Sequence, residues 1–189
     1  MNRTHTMRVL GISGSLRAAS LNSALLRTAA RLAPAGMQLV LHDLGGLPLF
    51  NPDLEVQVPV PVLALRRAVD AADALLIATP EYARGVSGII KNALDWLVSH
   101  EGFVGKPVAL LNASPRAHHA QAALRETLRT MSALILEEAS VAIPLLGSGL
   151  EEAAMRDSPA VAVPLTRALS ALATAHAGAT AQGPAFPLP

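Results

Sequence analysis

The sequence predicts an α/β domain with a five-stranded parallel sheet of order 2-1-3-4-5 and helices over both of its faces. Three observations carry this expectation. Short apolar runs alternate with helix-period segments along most of the chain. Those runs are apolar almost throughout, as in strands covered on both sides. Hydrophobic residues make up 51% of the 189 residues and charged residues only 15%, enough to fill one sizeable core.

The elements follow in order. MRVLGIS (7–13) reads as the first strand. A helix begins near Ser20, with Leu21, Ala24, Leu25, Thr28 and Leu32 on one face and Arg27 and Arg31 elsewhere. MQLVLHD (37–43) is the second strand, ALLIAT (74–79) the third, KPVALLNAS (106–114) the fourth, and a fifth lies near ILEEASVAI (135–143). Val86, Ile89, Ile90, Ala93, Leu94 and Leu97 repeat at helical spacing and predict a helix over 85–98. Another helix is expected over about 120–134, on Leu124, Thr127, Leu128 and Met131. A C-terminal helix is expected over about 160–177, its regular part starting at Pro164. Residues 1–6 are expected to be disordered and the tail GATAQGPAFPLP (178–189), which has Gly and Pro and no periodicity, to be flexible, leaving one domain over 7–177.

Composition excludes several functions. The chain has no cysteine, which rules out disulfides, thiolate chemistry and cysteine-ligated metals. A net charge of +1 and no basic block argue against nucleic acid as a partner. No apolar run approaches the roughly 18 residues that would suggest a membrane span. A secretory leader is not evident either, so a cytoplasmic protein is expected.

In a sheet of this order, ligands bind at the carboxyl ends of the strands, where the order reverses. That rim collects GSLRAASLN (14–22), PEYARG (80–85) and ASPRAHH (113–119). The first segment suits an anion. Gly11 and Gly14 allow tight turns, Ser13, Ser15 and Ser20 offer hydroxyls, Arg17 a charged fork and Asn22 an amide, all before a helix start. It suits equally an ordinary turn with Ser20 as N-cap. There is no lysine for a Walker loop and no GxGxxG spacing, so a mononucleotide phosphate fits better than a dinucleotide.

In the second segment Pro80 fixes the backbone, and Tyr82, the one tyrosine of the chain, could lie beside a flat ring or merely cap the core. Asp95 and Trp96 fall off the apolar stripe of their helix, where surface or subunit contact is as good a reading as chemistry. Lys91 and Asp95, four apart, suit a surface pair. His118 and His119 are adjacent and lack a third ligand at metal spacing, so no metal is expected.

Together, GSLRAASLN and PEYARGVSGIIKNALDWL (80–97), with LPLFNPDLE (47–55), resemble the NADPH-dependent FMN reductase family of quinone, chromate and azo reductases, over about residues 7–145. The resemblance implies a flavodoxin-like three-layer sandwich, FMN as cofactor and NADPH or NADH as co-substrate. It implies that Ser13, Ser15, Arg17, Ser20 and Asn22, with Leu16 through its backbone, hold the FMN phosphate. Pro80, Glu81, Tyr82, Ala83 and Arg84 match the segment lining the flavin ring, largely through main-chain groups, and Ser114 opens the third flavin loop.

Two departures stand out. The family usually has asparagine at the position of Ala83, and a glycine-rich stretch where this chain reads SPRAHHAQ, with Pro115, His118 and His119 in place of small residues. The implied reaction passes hydride from NAD(P)H through FMN to a quinone or similar small acceptor by a ping-pong scheme. It needs no catalytic side chain, because the flavin does the chemistry. Alternatives are an electron carrier, or a reductase that supplies reduced flavin to a monooxygenase. Helix 85–98 and the 44–58 connection resemble the parts that form homodimers or homotetramers in the family.

Overall fold

A computed structural model describes residues 6–182. Its elements are β1 (Met7–Ser13), α1 (Leu21–Leu32), β2 (Met37–His42), α2 (Val60–Asp70), β3 (Ala74–Ala78), β4 (Glu81–Tyr82), β5 (Gly85–Val86), α3 (Gly88–Asp95), β6 (Pro107–Asn112), α4 (His118–Thr130), β7 (Leu134–Ile135), β8 (Val141–Ala142), α5 (Glu152–Met155) and α6 (Pro159–Gln182). The main sheet runs β2-β1-β3-β6-β7 with every pairing parallel, which is the expected order.

Side chains alternate across it and fill two cores. Val9, Leu76, Ala78 and Leu111 face α1 and α6, while Leu10, Ile12, Leu75, Ile77 and Leu110 face α2, α3 and α4. This places helices on both faces, a three-layer sandwich of the flavodoxin-like kind.

The strand count differs from expectation. The fifth position holds two short strands, β7 and β8, each pairing with β6, so among the described residues the sheet has six strands. A turn of 3-10 helix at Glu137–Ala139 separates them. Ser140 makes the break tolerable. Its Oγ accepts from Leu110 N–H at 3.0 Å, replacing a ladder bond, and donates to Leu136 C=O at 2.9 Å.

Other boundaries move for local reasons. Residues 85–86 pair with 81–82 as an antiparallel hairpin, so α3 begins later, with Ser87 Oγ accepting from Ile90 N–H. Ser132, at φ +60°, ends α4 before the expected 134. The last helix starts at Pro159 rather than Pro164, since proline suits a first helical position, and Ser158 C=O accepts from Val161 and Ala162. It continues to Gln182, past the expected end at 177. Residues 1–5 and 183–189, where disorder and flexibility were expected, lie outside the described residues.

Two helices were not anticipated. In α2, Pro59 and Pro61 obscure a pattern that buries Val62, Leu65 and Val69. Short α5 docks on α1 through Glu152, whose carboxylate accepts from Arg27 Nε at 2.9 Å and Nη2 at 2.6 Å, and from Arg31 Nη2 at 3.1 Å.

Trp96 corrects the sequence reading. It is fully buried. Its Nε1 donates to Pro48 C=O at 2.8 Å, and its ring meets Phe50 edge-on, with centroids 5.0 Å apart. Asn92 on the same helix donates to Pro48 C=O and accepts from Phe50 N–H. The motif residues Asn92 and Trp96 thus fasten the 47–50 connection onto α3.

Candidate FMN site

At the carboxyl rim, three loops enclose a cleft of about 340 Å³, within the range of small-molecule sites. The loop after β1 contributes Ser15, Arg17, Ser20 and Asn22, and the loop after β3 contributes Thr79, Pro80, Glu81 and Tyr82. The loop after β6 adds Asn112, Ser114, Arg116 and Ala117, and Leu146 closes one side.

The first loop is braced from within. Ser13 Oγ lies 2.7 Å from Ser23 Oγ and accepts from Ser15 N–H at 3.3 Å, so Ser13 shapes the loop and is not among the residues lining the cleft. Gly14 N–H donates to Ala78 C=O at 2.8 Å, holding the loop against the end of β3. Ser20 caps α1: its Oγ accepts from Ser23 N–H and its C=O from Ala24 N–H. A helix start leaves its leading N–H groups facing outward as a partial positive charge. Leu21 and Asn22, the first two helical residues, line the cleft there.

Asn22 supplies the test of fit. Its side chain is buried, lines the cleft, and leaves Oδ1 without a hydrogen-bond partner among the described residues. Leaving a buried amide oxygen unpaired costs about 1–3 kcal/mol. A ligand hydroxyl would satisfy it, as would a phosphate with the amide turned over. Hydroxyls, a guanidinium and a helix start on one loop, with proline and tyrosine on the next, suit a phosphorylated molecule with a flat ring. FMN fits that donor set.

The second loop is the hairpin β4–β5. Its two turn residues, Ala83 and Arg84, have φ of +48° and +60°. A two-residue turn with both φ positive is of type I′, which prefers Asn-Gly. The family's asparagine at the position of Ala83 would sit there with less strain. Tyr82 is 59% exposed and so does not cap the core. Ala83 and Arg84 shape the hairpin tip and stand outside the lining.

The third loop replaces glycine with side-chain turns. Asn112 Oδ1 accepts from Ser114 N–H at 2.9 Å, and Ser114 C=O from Ala117 N–H at 3.0 Å. Pro115, His118 and His119 stay exposed and leave the cleft open. The two imidazoles contact each other, with centroids 4.1 Å apart. Among the described residues no group of three or more His, Asp or Glu could hold a metal.

Sequence reasoning missed Thr79, Asn112, Arg116, Ala117 and Leu146 as lining residues. Arg116 and Ala117 fall within the expected 113–119 segment and Thr79 and Asn112 next to expected loops, which was the available signal; Leu146 had none. Leu16 belongs to a second, mainly apolar groove with Leu47, Leu49, Ile89 and Asn92, and this groove shares Ser15, Arg17 and Tyr82 with the cleft. Groups with displaced pKa lie elsewhere. The Arg27 hydrogen bond pulls Glu152 below the ordinary carboxylate range, and burial lowers Lys106 and His42.

A family model described as NADPH-dependent FMN reductase matches residues 7–146. The chain belongs to that family. Membership makes it an oxidoreductase that uses FMN and NAD(P)H. The NAD(P)H-dependent FMN reductase of Pseudomonas aeruginosa is 47% identical over 65% of this chain and 69% of its own length. The 2-hydroxy-1,4-benzoquinone reductase of a Burkholderia species is 39% identical over 57% of this chain, and the match spans only 61% of that relative. Among solved structures, the flavoenzyme NAD(P)H:(acceptor) oxidoreductase FerB of Paracoccus denitrificans superposes with a TM-score of 0.81 at 29% identity, covering 91% of this chain and 98% of that one.

Proposed function

We propose that this enzyme carries hydride from NAD(P)H through FMN to a quinone or similar small acceptor, by a ping-pong scheme. The single observation that carries the reading is the lining of the cleft, which brings Ser15, Arg17, Ser20 and Asn22, before and at the start of α1, together with Pro80 and Tyr82 of the loop after β3. Bound FMN would supply the two-electron chemistry. The chain's part is placement. Ser15, Arg17, Ser20 and the first N–H groups of α1 hold the phosphate, with Asn22 beside them. Pro80, Glu81 and Tyr82 form the wall along the ring, Ala83 and Arg84 turn the hairpin that carries it, and Ser114 lines the third loop. No side chain is asked to act as acid, base or nucleophile.

The shared border of cleft and apolar groove, at Ser15, Arg17 and Tyr82, suits donor and acceptor entering in turn from one side. Quinone as acceptor is supported by relatives such as the Burkholderia 2-hydroxy-1,4-benzoquinone reductase. A cytoplasmic location accords with a requirement for NAD(P)H. No helix among the described residues is long and apolar enough to cross a membrane. Self-association as a homodimer or homotetramer accords with the exposed apolar side chains Leu49, Val56, Val60 and Val98 around the 44–58 connection.

The test is spectroscopic. Purified protein loaded with FMN should bleach rapidly on anaerobic mixing with NADPH and recover its colour on adding a quinone. Bound flavin that NADPH leaves yellow contradicts the reading. Complete separation of the flavin from the protein on a desalting column would favour a flavin-releasing reductase instead.

A further inference from the structure

We propose that Glu81 is a positioning residue that ties the β4–β5 hairpin to the start of α4 and so sets the width of the cleft; this rests on the FMN reading above. Glu81 Oε2 accepts from Ala120 N–H at 2.9 Å, across 39 residues of sequence. Ala120 is the third residue of α4, where a local N-cap side chain would ordinarily bond. This helix has no such cap. Its N-cap is Ala117, with no side-chain hydrogen bond, and its first turn contains no acidic residue. The carboxylate arrives instead from the hairpin, where a negative charge also meets the positive end of the helix.

The bond joins two walls of one site. Thr79, Pro80 and Tyr82 line one side, and Asn112, Ser114, Arg116 and Ala117 the other. The hairpin also needs holding, because both turn residues sit at positive φ without being glycine. Such strain persists only where the surroundings over-determine it. Directing Glu81 to the helix also commits the one carboxylate that, among the described residues, lines a cleft that is to receive a phosphate.

Reach, not charge, is then the property that matters. E81Q keeps an acceptor at the same distance, whereas E81D keeps the charge on a side chain one methylene shorter. Titrating each apoprotein with FMN, followed by flavin fluorescence, should give E81Q a Kd within about threefold of wild type. E81D and E81A should each be weakened about tenfold or more. Adding A117S to E81A gives α4 a local cap. The double variant should recover most of the thermal stability lost in E81A while its FMN affinity stays weak relative to A117S alone.

Recovery of affinity along with stability would make Glu81 a helix cap only and overturn the proposal. E81D binding like wild type while E81Q binds weakly would also overturn it, by making the charge the operative feature. Wild-type protein that leaves FMN fluorescence unquenched would overturn the cofactor reading itself, a result recognisable because it does not depend on residue 81.

Discussion

Gly14 and Thr79 approach so closely that a Cβ on Gly14 would stand 2.3 Å from Thr79 Oγ1, and 2.7 Å from both Ile90 Cγ1 and Ser87 Oγ. These neighbours are not free to yield. Thr79 and Ser87 are buried and hydrogen-bonded to each other at 3.2 Å, and Ile90 belongs to the core. The absent side chain at position 14 lets the phosphate-side loop press against the ring-side loop.

Gly14→Ala is therefore expected to separate the two loops. Urea denaturation should show a loss of about 1–3 kcal/mol, typical of overpacking, and FMN affinity should fall with it. Unchanged stability would mean that the contact relaxes without effort.

Arg17 makes a complementary case. It is exposed and carries no ion pair among those found in the described residues, so the apo fold should tolerate Arg17→Ala. A charged hydrogen bond to phosphate is worth about 1.5–3 kcal/mol, so FMN should bind about 10- to 100-fold more weakly. Riboflavin, which lacks the phosphate, should bind wild type and variant alike. Equal losses for both ligands would place Arg17 away from the phosphate.

The strained turn predicts a gain. Ala83→Asn puts a residue that, among those with a side chain, is well suited to positive φ at a position where alanine is held at +48°. Thermal denaturation should show about 0.5–1 kcal/mol of added stability. A loss instead would mean that the hairpin tip makes contacts that asparagine disrupts.

Glu152 predicts a pH dependence. The Arg27 hydrogen bond lowers its folded pKa, with Arg31 adding to the effect. A carboxylate whose folded pKa is depressed contributes stability above its unfolded value, near 4.5, and loses it as pH falls through the lower folded one. The pair is partly solvated, so Glu152→Gln should cost about 0.5–1 kcal/mol at pH 7. The difference from wild type should shrink below pH 4 in denaturation curves measured across that window. A gap that persists at acid pH would assign the effect to packing.

Much of the fold is legible in the chain, for identifiable reasons. Leu75 to Ala78 and Val108 to Leu111 are apolar on both faces because each face meets a core, and that pattern implies the parallel sheet. The loop after β1 is readable because Ser20 caps a helix exactly as its residue type suggests. What escapes sequence reading depends on contacts distant along the chain. Trp96 lies off its helical stripe yet is buried, because Pro48 supplies an acceptor 48 residues away. The break between β7 and β8 depends on Ser140 reaching Leu110, and the role of Glu81 depends on an uncapped helix at Ala120. Pro59 and Pro61 hid α2, although its buried Val62, Leu65 and Val69 stand at helical spacing.

The cleft as a phosphate-led flavin site is tested most directly by titrating wild-type apoprotein in parallel with FMN and with riboflavin, reading flavin fluorescence. Saturable binding of one FMN per chain, with riboflavin at least about tenfold weaker, is the expected result. Equal affinity for the two, or binding of neither, would contradict it.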